Sequence, residues 1–196
     1  MADCWLSIQA PTEGFYKVKG SKFYAYAYPV ETPEEAEGHL ELLRKKHWDS
    51  RHVAFAWRFG RNGEKARAYD AGEPAHSAGD PILNELRSRK LTEILVVVVR
   101  YFGGTKLGIS GLIDAYKSGA AEALDQATVE TKVATQTLAI RFPYSLTSEV
   151  NRIFHQHQLV AVKSDYGADC YQEIAVRETL FPKIKAIFEE LAILDE

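Results

Sequence analysis

The chain is predicted to be an α+β protein of two successive αβ units, and three observations carry that prediction. The run Ile94 to Val99 is apolar without interruption, as in a strand covered on both faces. Thr32-Pro33-Glu34-Glu35 has the spacing of a helix capping box, with Thr as N-cap, Pro at the first helical position and Glu at the third. After Val129 the pattern changes and a new series of strand and helix signals begins.

The elements follow in order. Gly14 to Val30 alternates aromatic and polar residues around a Gly20-Ser21 break, which predicts two paired strands. A helix runs from Pro33 to about Trp48 and buries Ala36, Leu40 and Leu43. His52 to Gly60 places Val53, Phe55, Trp57 and Phe59 on one side, the period of a half-exposed strand. Asn62-Gly63 then turns the chain into a short strand, Ala66 to Tyr69. Asp80 and Pro81 open a helix to about Lys90, Ile94 to Tyr101 forms the centre of the sheet, and glycines 103, 104, 108 and 111 lead into a helix buried through Leu112, Ala115, Tyr116, Ala123 and Leu124. Val129 to Thr135 reads as a linker without a strong apolar run. Beyond it, a strand (Thr137 to Phe142), a helix (Leu146 to His155), a hairpin around Gly167 and a helix (Leu180 to Leu191) make a βαββα order, with Ala192 to Leu194 as a short final strand; this order fits a ferredoxin-like unit. The division falls at residues 1–131 and 132–196.

Composition bounds the function. The chain has 196 residues and 46% hydrophobic content, ample for packed cores. No apolar run approaches the roughly 18 to 20 residues of a membrane span. The N-terminus MADCWLSIQAP lacks the basic start and apolar stretch of a signal peptide, so a cytoplasmic location is expected. Cys4, in an N-terminus expected to be mobile, and Cys170 have no metal-binding spacing and read as free thiols. No metal or cofactor is expected. The net charge of −3 argues against a protein that coats nucleic acid. Between Arg44 and Arg67, however, eight basic residues (including Arg58 and Arg61) face two acidic ones, a local balance of +6. These charges form a basic patch if they share a face; otherwise they are scattered, solvated surface charge.

Two loops hold the residue types of chemistry. Asp70, Glu73 and His76 lie beside Ser77, and two carboxylates with a histidine suit a cation site, acid–base work or a turn fixed by carboxylate-to-amide bonds. Arg100, Gly103, Gly104, Lys106, Gly108 and Gly111 surround a helix start, where free amides and the helix dipole favour an anion; the glycines equally suit close packing of helix on strand. Lys117 adds charge nearby, and Asp114 subtracts it. The lysine is not followed by Ser or Thr, so this is no Walker motif. Ser77 and Ser110 lack the nucleophile elbow, and no catalytic constellation is established. His155 and His157 read as a polar helix end, and Tyr166, Tyr171 and Phe181 as core or hairpin packing.

Four blocks in order, GSKFYAYAYPV, HVAFAWRFG, DAGEPAHSAGDPIL and VVVVRYFGGTKLGISGLIDAY, resemble the IMPACT family from about Ser21 to Leu124, with a weaker match beyond. The resemblance implies a first domain like the second domain of the fifth small-subunit ribosomal protein and domain IV of elongation factor G, and a second like domain V of that factor. It also implies association with structured RNA or the ribosome, an influence on translation, and no established reaction. The eukaryotic branch adds an N-terminal partner-binding domain, so only the shared domain is expected to carry over. Some members carry a proline-dipeptidase label, but this chain has no second cluster to complete a dinuclear metallopeptidase set. The family's loop resembles GEPSGTAGKP; here His76 stands at a glycine position and Asp80 at a lysine position. Those departures remove a close-approach glycine and a positive charge. The first expectation is a non-enzymatic protein that binds RNA or the ribosome through the basic and glycine-rich face. The alternative is a phosphate- or metal-dependent small-ligand binder or hydrolase built on Asp70, Glu73 and His76 over the Gly104 to Gly111 turn.

Overall fold

The structure, a computed structural model, describes residues 3–195. It is a mixed α and β protein with five α-helices among the described residues. Two compact units divide the chain: Trp5–Lys132, and residues 133–195 joined by Asp3 and Cys4.

The larger unit is built on a five-stranded antiparallel sheet in the order β2 (Thr12–Val18), β3 (Ser21–Pro29), β6 (Ile94–Tyr101), β4 (His52–Phe59), β5 (Lys65–Tyr69). β6 lies at its centre, and every residue from Ile94 to Arg100 is buried. Helix α1 (Pro33–Lys46) covers one face, packing Ala36, Leu40 and Leu43 on Tyr26, Phe55, Leu95 and Val97. Helices α2 (Gly79–Ser88) and α3 (Gly108–Asp125) cover the other, over Phe23, Ala25, Ala54, Ala56, Val96 and Val98. α1 starts as its sequence requires: Thr32 Oγ1 accepts from Glu35 N at 3.2 Å. The return bond is displaced by one residue, since Glu35 Oε2 accepts from Glu31 N at 2.7 Å.

Four expectations need correction. β4 is covered on both faces in its middle, because Ala54 and Ala56 are small enough to let α2 approach the side opposite Phe55. Asp80 does not cap α2, which follows Ala78 as N-cap with no bond from a capping side chain at that position. The segment after α3 is no plain linker: β7 (Val129–Val133) is a strand and pairs with β1 (Cys4–Ile8), in which Cys4 lies. Leu6 also bridges Leu91, and Thr92 N donates to Leu6 O at 2.9 Å, so the N-terminal strand is tied to the chain beside β6.

The smaller unit runs β8 (Thr135–Phe142), α4 (Thr147–His157), β9 (Ala161–Tyr166), β10 (Cys170–Arg177) and α5 (Phe181–Glu190), with an antiparallel sheet in the order β8, β10, β9. Leu194 bridges Ile140 on the free side of β8, which is all that the final strand amounts to. Its core gathers Leu138, Ile140, Val150, Ile174, Ile184 and Phe188, with buried Cys170 among them and Phe181 packed alongside. Tyr166 departs from the packing role expected of it and is 61% exposed.

Candidate functional site

The loop between β5 and α2 is organised by one carboxylate. Asp70 Oδ2 accepts from His76 N at 2.9 Å, and Oδ1 accepts from Ala78 N and Gly79 N at 2.9 and 2.8 Å. Asp70 thus supplies from the head of the loop the anion that the start of α2 requires. Burial pushes its pKa up, but those amide bonds outweigh it and hold the carboxyl below the usual range.

Glu73 turns the other way. Its side chain is 5% exposed, and Oε1 accepts from Arg100 Nη1 at 2.7 Å and from Tyr116 Oη at 2.8 Å. Burial, reinforced by the Glu73 charge, raises the Tyr116 pKa, so the phenol keeps its proton and donates. His52 Nδ1 lies 4.0 Å from the same oxygen and 3.0 Å from Ala71 O, to which it donates. Ser77 is fully buried and its hydroxyl donates to Pro74 O at 2.6 Å.

His76 occupies the left-handed region, φ 64°, at the position where the resembling pattern has glycine. Its Nδ1 lies 2.6 Å from Asp80 Oδ2. The two departures from that pattern therefore touch each other, and Asp80 serves His76 instead of the helix start. Asp70, Glu73 and His76 do not converge on a point, since each has a different partner. Among the described residues no group of three or more His, Cys, Asp or Glu side chains is arranged to hold a metal ion.

The basic run does not form one face. Arg58 opposes Ala66 and Arg67 opposes Trp57 on the paired strands, so Arg58 and Arg67 point to opposite faces of the sheet. The Arg58 guanidinium donates to Leu91 O at 2.7 Å and Asn62 O at 3.0 Å, and so is used by the fold. Arg61 lies over the Trp5 ring, Arg67 over Phe55, and Arg44 pairs with Glu37. Arg100 is likewise engaged, by Glu73. Lys117 lines a separate cavity with His76 and Asp80.

The glycines of the turn differ in what they do for the fold. Gly103 is a packing glycine, for a Cβ there would fall 1.9 Å from Gly20 C. Gly104 and Gly108 have φ of 87° and 76°, with no atom within 4 Å of where a Cβ would stand, so they serve conformation and leave the backbone open. Gly111 lies in the first turn of α3 against Leu107. That helix has Leu107 as N-cap, which makes no side-chain cap bond, and no other side chain among the described residues bonds its opening amides. Exposed Lys106 stands beside it and makes no ion pair among the described residues.

A cavity of about 320 Å³ opens here, lined chiefly by Glu73, Arg100, Phe102, Lys106, Leu107 and Ile109. Phe102 also borders a second cavity of about 640 Å³ with Lys22, Tyr24, Lys46, His47 and Tyr101. In this second wall Tyr26 Oη and His47 Nε2 are 2.8 Å apart, His47 Nδ1 and Tyr101 Oη 3.0 Å, and Tyr101 Oη donates to Asp49 Oδ1 at 2.8 Å. Burial and then Asp49 push the Tyr101 pKa up to about 12, and burial, with Lys46 next, lowers that of His47. These aromatic residues were not read as a site from sequence, where each passes as ordinary strand packing. The signal was the pairing of Phe15 with Tyr24 and Lys22 with Tyr101, which register alone puts on one face.

Fold and site together define a two-unit α and β protein with a glycine-turn helix start, uncapped by any side chain among the described residues, beside an aromatic sheet face. Residues 19–124 match the model of the Impact N-terminal domain. The chain is 32% identical to IMPACT family member YigZ of Escherichia coli over 89% of its length and 86% of the relative's. It is 29% identical to IMPACT family member YvyE of Bacillus subtilis over 91% and 82%. A crystal structure described as that of a hypothetical protein superposes with a TM-score of 0.70 at 28% identity, covering 100% of this chain and 98% of that one. The protein belongs to the IMPACT family.

Proposed function

We propose that the protein is a non-enzymatic, translation-associated factor of the cytoplasm that contacts structured RNA or the ribosome through the larger unit. The observation that carries the reading is the start of α3. Among the described residues no side chain caps its amides and Lys106 beside them makes no ion pair, and the acid in the same cavity wall, Glu73, is engaged by Arg100 and Tyr116. What remains is positive and accessible, which suits a phosphodiester. The family's resemblance to translation factors supports the same reading, and with it the assignment of the two units to the elongation-factor-G domain IV and V types. For the second unit, support comes from the strand order Leu194, β8, β10, β9.

The test is co-sedimentation with ribosomes over a salt series. Binding should weaken steeply with salt, and Lys106→Ala should lower the slope of log K against log salt by about 0.7 to 0.9, the loss of one phosphate contact. Lys183→Ala and Lys185→Ala on α5 should leave it unchanged. No binding at low salt by the intact protein would end the reading.

A further inference from the structure

We propose that β9 is a dimer edge, pairing antiparallel with β9 of a second copy of this chain about a two-fold axis beside Ser164. The sheet of the smaller unit runs β8, β10, β9. β8 is closed on its outer side, where Arg141 N donates to Ile193 O at 2.8 Å and Asp195 N donates to Ala139 O at 3.0 Å. Among the described residues β9 pairs with β10 alone, so one side of its backbone offers amides and carbonyls to another strand. Val160, Val162 and Tyr166, at or beside this edge, are 70%, 61% and 61% exposed. Ser164 lies opposite Gln172, on the core side of the sheet, and is exposed, so no helix roofs the strand there.

The order of side chains identifies the occupant. A two-fold axis perpendicular to an antiparallel pair sets one residue against its own copy, and residues equally far to either side against each other. An axis beside Lys163 brings two ammonium groups together, and one beside Asp165 brings two carboxylates together; like charges directly opposite are destabilising. Beside Ser164 the neighbours match: Lys163 meets the partner's Asp165, and Val162 meets the partner's Tyr166. The two ion pairs that symmetry generates fall on the outer face, since Lys163 and Asp165 lie opposite Glu173 and Tyr171. Lys163 Nζ, 3.1 Å from Glu173 Oε1, has donors to spare, and Asp165 makes no ion pair among the described residues. A register shift against Glu173 and Ile174 makes Val162 an extra residue and ends the regular ladder there, so the contact is short and of the weak, concentration-dependent class. The edges of the larger sheet lack this match. β5 carries Lys65 and Arg67 with no acid, and β2 has α3 over Gly14, where a Cβ would meet Ala123 N at 2.3 Å.

Sedimentation velocity of the full chain from micromolar to millimolar concentration should show a reversible monomer–dimer equilibrium. Lys163→Glu and Asp165→Lys, both at exposed sites, should each weaken it about tenfold or more, because each change turns two attractive cross-strand pairs into repulsive ones. An equimolar mixture of the two variants should recover the association, since both pairs then join opposite charges; a merely structural effect on β9 would not be rescued in this way. Ser164→Cys, in a Cys4→Ser background that removes the exposed Cys4, should oxidise to a dimer bridged at position 164. Facing Cα atoms of antiparallel strands are about 4.5 to 5.5 Å apart, within disulfide range. A chain that stays monomeric throughout would overturn the inference and leave the edge to an extended peptide of another protein. A dimer indifferent to either charge reversal, or a mixture that associates no better than its components, would overturn it as well.

Discussion

Helix α2 begins under a carboxylate of its own chain, whereas helix α3 begins without one. Both follow loops that contain glycine, and both lie on the same face of the central sheet. At α2, Asp70 accepts from three amides, including those of Ala78 and Gly79. At α3 the corresponding positions hold Lys106 and Leu107, which have no acceptor to offer. The same dipole therefore meets an internal carboxylate in one case and no capping carboxylate among the described residues in the other. Richness in acidic residues marks the loop whose carboxylates are taken up by its own fold, Asp70 by amides and Glu73 by Arg100 and Tyr116.

The hardest way to break the contrast is through the pair that ties the loop before α2 to β6. Glu73→Ala leaves the buried Arg100 guanidinium without its carboxylate, and loss of one partner from a buried pair costs about 3 to 5 kcal/mol. Urea unfolding should register this as a large fall in midpoint. A loss under about 1 kcal/mol would mean that water reaches Arg100 and that the pair does not anchor the loop to β6.

Asp70→Ala opens the start of α2. Replacing such a cap costs about 0.5 to 2 kcal/mol. The effect depends on pH with a definite sign: the folded-state pKa is depressed, so the carboxylate contributes fully above the unfolded value near 3.9 and loses its contribution as pH falls through the folded value. Wild type and variant should differ in midpoint at pH 7 and converge in acid below about pH 4. Persistence of the full difference in strong acid would show that Asp70 acts by shape instead of charge.

Leu107→Asp makes α3 resemble α2. The new carboxylate gains about 0.5 to 2 kcal/mol as a cap, offset by loss of the half-buried leucine's packing on the core. Net stability should stay within about 1 kcal/mol, while ribosome binding falls sharply because an internal anion occupies the amides. Unchanged binding would move the contact away from α3.

How legible these features were depended on range. The capping box of α1, the central strand and the inward stripe of α3 depend on spacing within one element, and all three are readable. The cap of α2 lies nine residues before the helix begins, so the nearer Asp80-Pro81 draws attention instead. Pairing of β1 with β7 joins segments over a hundred residues apart and leaves no local mark. Arg58 was within reach: period-two alternation puts it on the face of Ala54 and Ala56, away from Trp57 and from Arg67 opposite it. Arg100 shares register with Val96 and Val98, and that alone predicts a buried guanidinium in need of an acid.

The smallest effect is expected at His76 and Asp80. Left-handed backbone costs a residue with a Cβ about 1 to 2 kcal/mol, and His76→Gly removes that cost. The same change gives back about 0.5 to 1 kcal/mol in chain entropy. It also loses the contact with Asp80, whose exposed geometry, 82% and 42% for the two side chains, limits its worth. An ion pair of this kind contributes about 0 to 1 kcal/mol. The terms nearly cancel, so His76→Gly should shift stability by less than about 1 kcal/mol. Asp80→Lys should cost slightly more, since it places a cation at the start of a helix. In the double-mutant cycle, the coupling between the two positions should be about 0.5 kcal/mol, read from urea midpoints of the four proteins. A coupling above about 2 kcal/mol would make the pair a principal support of the loop and would reverse the order of importance between His76 and Asp70.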